Sequence, residues 1–385
     1  MKILITTDLY LPTLNGVVTS ILNLKQELIK RGHEVRILTL QQEQQLEEEP
    51  DTYYVKSIGA GKVYPQARIM RSLGNKQLKD IVSWRPDIIH SQCEFSTYFL
   101  ARIVARRVNA PIVHTYHTVY EDYTHYFSKS DIVGYNIVKL FSKIILNHTQ
   151  SVIAPTDKVK KLLFNYKINK PIYIVPTGID LKKYFAQVPL NLIIEKKAQL
   201  GIPLENLVLI YVGRLAKEKN LNELVAFMNN LEIDNISLLI VGDGPERYEL
   251  ETYAQSFSNS SNIIFAGRVD RDDVNEYYQL ADIFVSASTS ETQGLTYIEA
   301  LANGVPLLCR KDDCLNDVLY NYENGFQYTS YIEFQTFLKY FIANKELKIK
   351  YELFAREVAQ RFSKEKFAES IEKIYRLSMR GKNKA

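Results

Sequence analysis

Residues 2–32, KILITTDLYLPTLNGVVTSILNLKQELIKRG, contain two hydrophobic patterns in succession. The β-branched run KILITT is typical of a buried strand. After a loop, apolar residues recur every three or four positions from Val17 to Leu28, which is the spacing of one helix face, and Gly32 follows as a stop signal. The segment therefore predicts a strand, a loop and a helix.

The same alternation continues along the chain in two series of strand-like runs. The first series ends near residue 176 and contains EVRILTL, DIIH, PIVHTY, SVIAP and IYIVP; the second starts near residue 205 and contains LVLIYVG, SLLIVG, NIIFAG, DIFVSAS and VPLLCR. Strands that alternate with helices form parallel sheets through right-handed crossovers. We therefore predict an α/β fold of two Rossmann-like, doubly wound parallel-sheet domains that face each other across a cleft.

The pattern also suggests where the domains begin and end. We predict an N-terminal domain over 1–180, a C-terminal domain over 181–360, and a helix over 361–385 that either closes the second domain or packs back on the first. Ligands of open parallel sheets bind at the carboxyl ends of the strands. The predicted cleft is therefore the expected active site.

The composition excludes several classes of protein. Of the 385 residues, 46% are hydrophobic and 24% are charged, as in a folded domain. Cys93, Cys309 and Cys314 lack the spacing of a disulfide framework or zinc site, which fits a reducing cytosol. Because neither a signal peptide nor a run of about 18 apolar residues is present, we expect neither a secreted nor an integral membrane protein.

Positive charge is concentrated in one part of the chain. The formal net charge is only +4, but residues 125–183 contain ten lysines and three acidic residues. Such an excess indicates either a surface that meets lipid headgroups or nucleic acid, or an ordinary solvated basic surface.

The loop YLPTLNGVVTS places Gly16 between the first strand and the first helix. A glycine there lets the backbone approach a ligand, and the N–H groups at the helix start favour a phosphate. The alternative is a glycine that only makes a tight turn. The loop lacks the GxGxxG fingerprint of nicotinamide-dinucleotide folds, which disfavours a dehydrogenase.

In the second half, YVGRLAKEKN places Arg214 and Lys219 just beyond a buried strand. Two cations at this spacing can flank a diphosphate, one as a planar fork and one as a point charge. A solvated Arg–Lys pair would be the preferred interpretation if the motif stood alone.

The motif YVGRLAKEKN does not stand alone, because SASTSETQGLTYIEALANGVP follows further along the chain. In this second motif, seven residues separate Glu291 from Glu299. With a helix beginning near Leu295, the N–H groups of Gly294, Leu295 and Thr296 face an anion. The two carboxylates would then accept hydrogen bonds from sugar and ribose hydroxyls. This arrangement suits a nucleotide sugar.

Across nearly the whole chain, these motifs resemble the retaining glycosyltransferases of family 4, which have the GT-B fold. The resemblance is carried by NGVVTSI, HTYHTVYEDY, PTGID, GRLAKEKN, VGDGP and SETQGLTYIEALANGVP. DIIHSQCEFS, HTYHTVYEDYTHY and SASTSETQGLTY look closer still to bacterial diacylglycerol α-glucosyltransferases. The resemblance implies transfer of glucose from UDP-glucose to diacylglycerol, with retention, at the cytoplasmic face of the plasma membrane.

The resemblance also assigns roles to the donor-binding residues. Arg214 and Lys219 match the family's cations on the donor diphosphate, and residues 294–296 match its backbone cradle for the phosphates. Glu299 matches the acid on the ribose, and Gly16 matches the N-domain glycine near the donor phosphate.

Catalysis is assigned in the same way. Glu291 matches the acid that contacts the transferred sugar, and His117 matches the active-site histidine that hydrogen-bonds it. His114 competes for this role, but it falls within a predicted strand and is expected to pack as a neutral, satisfied residue. Arg214 and Lys219 would stabilise the departing diphosphate.

No firm carboxylate nucleophile for a double displacement is recognisable, so the resemblance implies attack by the acceptor on the same face of the sugar. The pairs Asp272–Asp273 and Asp312–Asp313 read equally well as surface loops. We therefore expect no cofactor and no metal requirement.

A basic amphipathic helix is predicted for the acceptor side. YNIVKLFSKIILNH carries Lys139, Phe141 and Lys143 in a helical period and could lie among anionic headgroups, or it could be a core helix covering the sheet. Three tyrosines either line the acceptor entrance or simply pack: Tyr120, Tyr123 and Tyr126.

Two alternatives remain open from the sequence. The enzyme could use another UDP-sugar, such as UDP-galactose, or another acceptor, either a glycolipid or a soluble molecule. A noncatalytic lipid- or nucleic-acid-binding protein is the alternative of a different class, but it would not need both cations and both glutamates together. The leading hypothesis involves no nucleic acid.

Overall fold

The computed structural model describes residues 1–13, 15–42, 49–60, 67–121, 131–257 and 260–382. The chain divides into two compact units, one of Met1–Gly178 with Lys364–Ala385 and one of Ile179–Ser363. We predicted divisions after residues 180 and 360, two or three positions away. The C-terminal helix belongs to the first unit, which is one of the two placements expected for it.

The first unit is built on a seven-stranded parallel sheet in the order β3-β2-β1-β6-β7-β8-β9, with a separate antiparallel hairpin of β4 and β5. Its strands are β1 (Lys2–Thr7), β2 (Glu34–Leu40), β3 (Thr52–Val55), β4 (Ser57–Gly59), β5 (Arg68–Met70), β6 (Ile88–Ser91), β7 (Ile112–Thr115), β8 (Ser151–Ala154) and β9 (Ile172–Ile174).

Helices cover both faces of this sheet. Along β1, Leu4 belongs to one hydrophobic cluster while Ile3 and Ile5 belong to another, because successive side chains of a strand point to opposite faces. The helices of this unit are α1 (Gly16–Lys30), α2 (Asn75–Trp84), α3 (Ser96–Val108), α4 (Asp131–Leu146), α5 (Asp157–Asn165) and α14 (Lys364–Lys382).

The second unit repeats the architecture with a six-stranded parallel sheet in the order β12-β11-β10-β13-β14-β15. Its strands are β10 (Leu207–Val212), β11 (Ile236–Val241), β12 (Ile263–Gly267), β13 (Ile283–Ser286), β14 (Leu307–Arg310) and β15 (Gly325–Tyr328). Its helices are α6 (Leu181–Phe185), α7 (Leu190–Gln199), α8 (Leu221–Asn230), α9 (Arg247–Gln255), α10 (Val274–Gln279), α11 (Leu295–Ala302), α12 (Tyr331–Ala343) and α13 (Lys348–Ala359).

The strand orders indicate which edge of each sheet is suited to a ligand. In the first sheet the chain proceeds outward from β1 in one direction through β2 and in the other through β6; in the second, β10 is flanked by β11 and β13 in the same way. A crevice forms at the carboxyl ends of strands where the order reverses. Candidate ligand-binding residues are therefore expected directly after β1, β6, β10 and β13.

No helix among the described residues is long and apolar enough to cross a membrane.

Candidate functional site

Lys219 and Glu291 meet at the carboxyl ends of β10 and β13. The Lys219 ammonium donates to Glu291 Oε1 at 2.5 Å, and both side chains are largely buried. Parallel strands place their carboxyl ends at one edge of the sheet, so two loops that are distant in sequence come together. The structure thus joins the predicted diphosphate cation to the predicted sugar-binding acid.

Arg214 lies at the same edge and is held by a residue that sequence reasoning missed. Its guanidinium donates to Glu218 Oε1, four positions later in the chain. Glu218 lies in the 3₁₀ turn Lys217–Lys219, and its side chain is only 3% exposed. The spacing of four residues and the opposite charges were the available signal in the sequence.

Glycines in the loop after β11 shape the backbone beside Arg214. A Cβ atom at Gly242 would lie 1.8 Å from the carbonyl oxygen of Gly213, and one at Gly244 would lie 2.2 Å from that of Leu215. The Leu215 amide donates to the Asp243 carbonyl oxygen at 3.0 Å. The VGDGP motif therefore acts as a support against which the arginine loop packs backbone to backbone.

Helix α11 begins at Leu295, as predicted, directly after Gly294. Gly294 has φ +72°, and a Cβ atom there would lie 2.4 Å from the Tyr297 ring. Both facts require glycine at this position. Leu295 and Thr296 occupy the first two helical positions, whose N–H groups have no intrahelical acceptor and can face an anion.

Glu299 is fixed by a tyrosine. Tyr278 donates to Glu299 Oε2 at 2.8 Å, and Tyr184 packs edge-on against Tyr278 with the charge of Glu299 nearby. Burial, followed by the nearby negative charge of Glu299, raises the pKa of both phenols. Both tyrosines therefore remain neutral at physiological pH, and Tyr278 orients the acid predicted to bind ribose.

In the first unit, His117 lies close to the carboxyl ends of β6 and β7. Its Nε2 is 2.6 Å from the amide oxygen of Gln92, which places the ring proton on Nε2 and leaves Nδ1 as an acceptor. Burial, together with the neighbouring His114, lowers the pKa of His117 to about 3. The ring is therefore neutral at pH 7 and can hydrogen-bond a hydroxyl group without carrying charge.

The structure corrects the expectation for His114. It is completely buried in β7, as expected of a packed residue, but its Nε2 lies 3.0 Å from the carboxylate of Glu94. Among the described residues, its Nδ1 has no hydrogen-bond partner. His114 is thus not fully satisfied, because only one of its ring nitrogens has a hydrogen-bond partner among the described residues. Tyr120 donates to the second oxygen of Glu94 at 2.5 Å.

The C-terminal helix takes part in the same buried network. The Tyr375 hydroxyl and the Thr115 hydroxyl each lie 2.7 Å from a ring nitrogen of His90. Burial keeps the pKa of His90 well below its usual value, so the ring is neutral. Helix α14 therefore supports the sheet edge at which His117 lies.

Gly16 is the exposed first residue of α1. The side chain of Asn15 caps this helix by accepting a hydrogen bond from the Val18 amide at 3.0 Å. One of the N–H groups that we expected to face a phosphate is therefore already bonded.

Helix α4 has apolar residues on two faces. Val138, Ser142 and Ile145 are buried, and Phe141 stacks on Phe95 with ring centroids 5.5 Å apart. Lys139 and Lys143 are half-buried. A second stripe is at least half exposed and comprises Val133, Ile137, Leu140 and Ile144. The helix thus covers the core with one face and leaves an apolar face exposed. Tyr123 and Tyr126 lie outside the described residues.

Among the described residues, no group of three or more His, Cys, Asp or Glu side chains is arranged to hold a metal ion. Asp272 lies 2.8 Å from the ammonium of Lys183, and Asp312 accepts a hydrogen bond from the Cys314 amide at 2.7 Å. Both carboxylates therefore have local structural contacts.

Comparison with known proteins agrees with this arrangement. Residues 14–183 match the family model described as Glycosyltransferase Family 4, and residues 193–361 match that of Glycosyl transferases group 1. The alpha-monoglucosyldiacylglycerol synthase of Acholeplasma laidlawii is 33% identical over 388 residues, covering 97% of this chain and 96% of the relative. The protein of the same name from Streptococcus pneumoniae is 36% identical over 323 residues, covering 83% and 73%.

The fold is shared with solved glycosyltransferase structures. The crystal structure of HepE from Anabaena in complex with UDP has a TM-score of 0.75 and 16% identity, covering 97% of this chain and 99% of that one. The matched models, the relatives and the two parallel-sheet units together show that the chain belongs to the family 4 glycosyltransferases and has the GT-B fold.

Proposed function

We propose that this glycosyltransferase moves glucose from UDP-glucose to diacylglycerol with retention of configuration, forming α-monoglucosyl diacylglycerol at a membrane surface. The observation that carries the proposal is the Lys219–Glu291 contact beside the start of α11, in a chain that aligns over 97% of its length with a synthase of this lipid. The contact brings a cation for phosphate next to an acid for sugar hydroxyls.

The donor diphosphate has a matching set of positive groups. Arg214 and Lys219 lie at the edge where β10 ends, and the N–H groups at the start of α11 point out of the helix. As the sugar–phosphate bond breaks, negative charge develops on the departing UDP, and preorganised cations and dipoles stabilise it. These groups would supply the charge stabilisation without a metal or other cofactor.

The acids and His117 would bind the sugars of the donor. Glu291 would accept hydrogen bonds from glucose hydroxyls, and Glu299, fixed by Tyr278, would accept those of ribose. His117 is neutral, and its Nδ1 would accept a hydrogen bond from a hydroxyl of the transferred glucose. Gly16 would allow the donor phosphate to approach α1.

The reaction would proceed on one face of the glucose ring. The bond from C1 to the phosphate oxygen breaks, the acceptor oxygen bonds to C1 from the same side, and the acceptor proton passes to the leaving phosphate. Protons and charges balance without a protein nucleophile. This route fits a site whose acids are engaged by Lys219 and by Tyr278.

The acceptor would approach the first unit from a membrane. Tyr120 and Phe141 pack together with Phe95, which is 54% exposed. The exposed apolar stripe of α4 would enter the headgroup region while Lys139 and Lys143 attract anionic lipid. We propose that the enzyme is a peripheral protein of the cytoplasmic face of the plasma membrane.

The test is to measure UDP release and product formation for a panel of UDP-sugars, with and without diacylglycerol in mixed micelles. We expect UDP-glucose with diacylglycerol to give the highest turnover, and the product's anomeric proton to show the α configuration by NMR. A preference for UDP-galactose would change the donor, and turnover only with a glycolipid or soluble acceptor would change the acceptor. If the enzyme consumed none of the UDP-sugars in the panel, the proposal would be contradicted.

A further inference from the structure

Glu218 is a buried carboxylate that the chemistry above does not use. Its side chain is 3% exposed, and its Oε1 accepts a hydrogen bond from the Arg214 guanidinium. Its Oε2 is buried and has no hydrogen-bond partner among the described residues. A carboxylate in such a position depends strongly on the cation beside it.

This dependence restricts Arg214. If the guanidinium swung away, it would leave a buried carboxylate uncompensated, which is strongly unfavourable. Arg214 is itself one-third exposed, and a long side chain in such a position loses rotamer freedom when it is ordered. The ion pair therefore keeps the guanidinium at the end of β10 before any ligand arrives, while leaving part of it accessible.

Glu218 also connects the two loops of the site through its backbone. The Ser290 hydroxyl donates to the Glu218 carbonyl oxygen at 3.0 Å, and the next residues along each loop, Lys219 and Glu291, are in contact at 2.5 Å. Two consecutive residues of one loop thus contact two consecutive residues of the other. The backbone of Glu218 therefore holds the two loops together, while its side chain contacts Arg214.

We infer that Glu218 is a positioning residue for the nucleotide diphosphate, acting through Arg214. It touches neither sugar nor phosphate; it holds the guanidinium in the orientation that accepts the phosphate oxygens, so less ordering is required on binding. The inference rests on the proposed function only for the identity of the anion.

The same unit contains a second Arg–Glu ion pair, between the first turn of α8 and the last residue of β14. Glu223, on α8, accepts a hydrogen bond from Arg310 at 2.5 Å, and its side chain is also largely buried. Replacing either glutamate by glutamine removes one carboxylate from an Arg–Glu pair. The two variants therefore separate a general loss of an ion pair from an effect on Arg214.

The experiment measures UDP affinity by calorimetry, in the full chain and without acceptor. We expect Glu218→Gln to weaken UDP binding by about 10-fold and Glu223→Gln to change it by less than about twofold. If Glu218→Gln folds poorly, Glu218→Asp keeps the charge but retracts it from Arg214 and should show a smaller loss. Equal effects of Glu218→Gln and Glu223→Gln would overturn the inference.

A double-mutant cycle tests whether the effect passes through Arg214. Arg214→Gln should lower the melting temperature by stranding the Glu218 carboxylate, and adding Glu218→Gln should recover it without further loss of UDP affinity. An undiminished effect of Glu218→Gln in the Arg214→Gln background would overturn the inference. If the wild-type protein did not bind UDP, the proposed function would fail, and inorganic pyrophosphate would replace UDP in the same comparisons.

Discussion

Lys219 Nζ lies 2.5 Å from Glu291 Oε1, although 72 residues separate them in the chain. Together with the Arg214–Glu218 pair, this contact means that both predicted diphosphate cations already face carboxylates. An ammonium has three N–H donors, so Lys219 could hold Glu291 and a diphosphate oxygen at the same time.

Replacing Lys219 by glutamine tests this relationship. The variant loses the ammonium that would stabilise the departing diphosphate, so kcat should fall about 10²- to 10³-fold. Steady-state UDP release measures the change. Lys183→Gln is the control, because it also removes a lysine from an ion pair of the same unit, at 2.8 Å from the exposed Asp272. Turnover by Lys219→Gln within twofold of wild type would contradict the assigned role.

Gly294→Ala should reduce donor binding as well as stability. The new methyl group would lie 2.4 Å from the Tyr297 ring and would have to adopt a φ of +72° at the start of α11. Gly201→Ala is the matched control, since Gly201 has φ +70° but no atom within 4 Å of its added Cβ. Both variants should lose roughly 1 kcal/mol from backbone strain. Only Gly294→Ala should also raise KM for the donor; a similar rise in both would remove the special role of this turn.

The lowered pKa of His117 should make the stability of the protein depend on pH. The pKa of His117 is lowered to about 3 in the folded protein, below the ordinary value of 6.5. Below pH 6.5 the unfolded chain binds a proton that the folded one does not, so stability falls as pH falls from about 6.5 toward 3. The slope for one such proton is about 1.4 kcal/mol per pH unit.

Denaturant unfolding of wild type and His117→Gln across this range measures the effect. On acidification, the free energy of unfolding of the variant should fall less steeply than that of wild type. The difference in slope should be at most that of one proton, about 1.4 kcal/mol per pH unit. His148→Gln, at an exposed position, should change the profile much less. Parallel profiles for wild type and His117→Gln would show that the histidine titrates normally.

The sequence predicted the central strands well because they are buried on both faces. Long apolar runs such as LVLIYVG and SLLIVG became β10 and β11, and α11 began at the predicted residue. The edge strands β3 and β15 were missed, since TYYV and GFQY are short and lack such a run. The segment 176–205, expected to divide the domains, contains two helices of the second unit.

The sequence named candidate site residues one by one but not the contacts between them. The motifs named Arg214, Lys219 and Glu291. Glu218, the partner of Arg214, has no separate signal beyond its charge and its distance of four residues from that arginine. Glu94 was missed for a related reason, because its contacts with His114 and Tyr120 join residues 20 and 26 positions away. Only the sheet topology brings such side chains together.

Chelation should leave activity unchanged. The proposed donor site uses two cations and a helix start in place of a metal, and the described residues contain no cluster of metal-ligating side chains. Turnover should be equal after exhaustive EDTA treatment and with added Mg²⁺. Loss of activity with EDTA and its recovery with Mg²⁺ would contradict this prediction.

Membrane binding should depend on the exposed stripe of α4. Leu140 is 61% exposed at its centre, so Leu140→Glu places a charge where the helix would enter the headgroup region, and it repels anionic lipid. We expect flotation with anionic vesicles to fall about 5-fold or more, the equivalent of roughly 1 kcal/mol. Leu353→Glu changes a similarly exposed leucine, 65%, on helix α13 of the other unit and should float normally.

Because activity on a water-soluble short-chain diacylglycerol requires no vesicle, Leu140→Glu should retain it. Loss of that activity would instead assign Leu140 to the acceptor site, and unchanged flotation would exclude this face of α4 as the membrane contact.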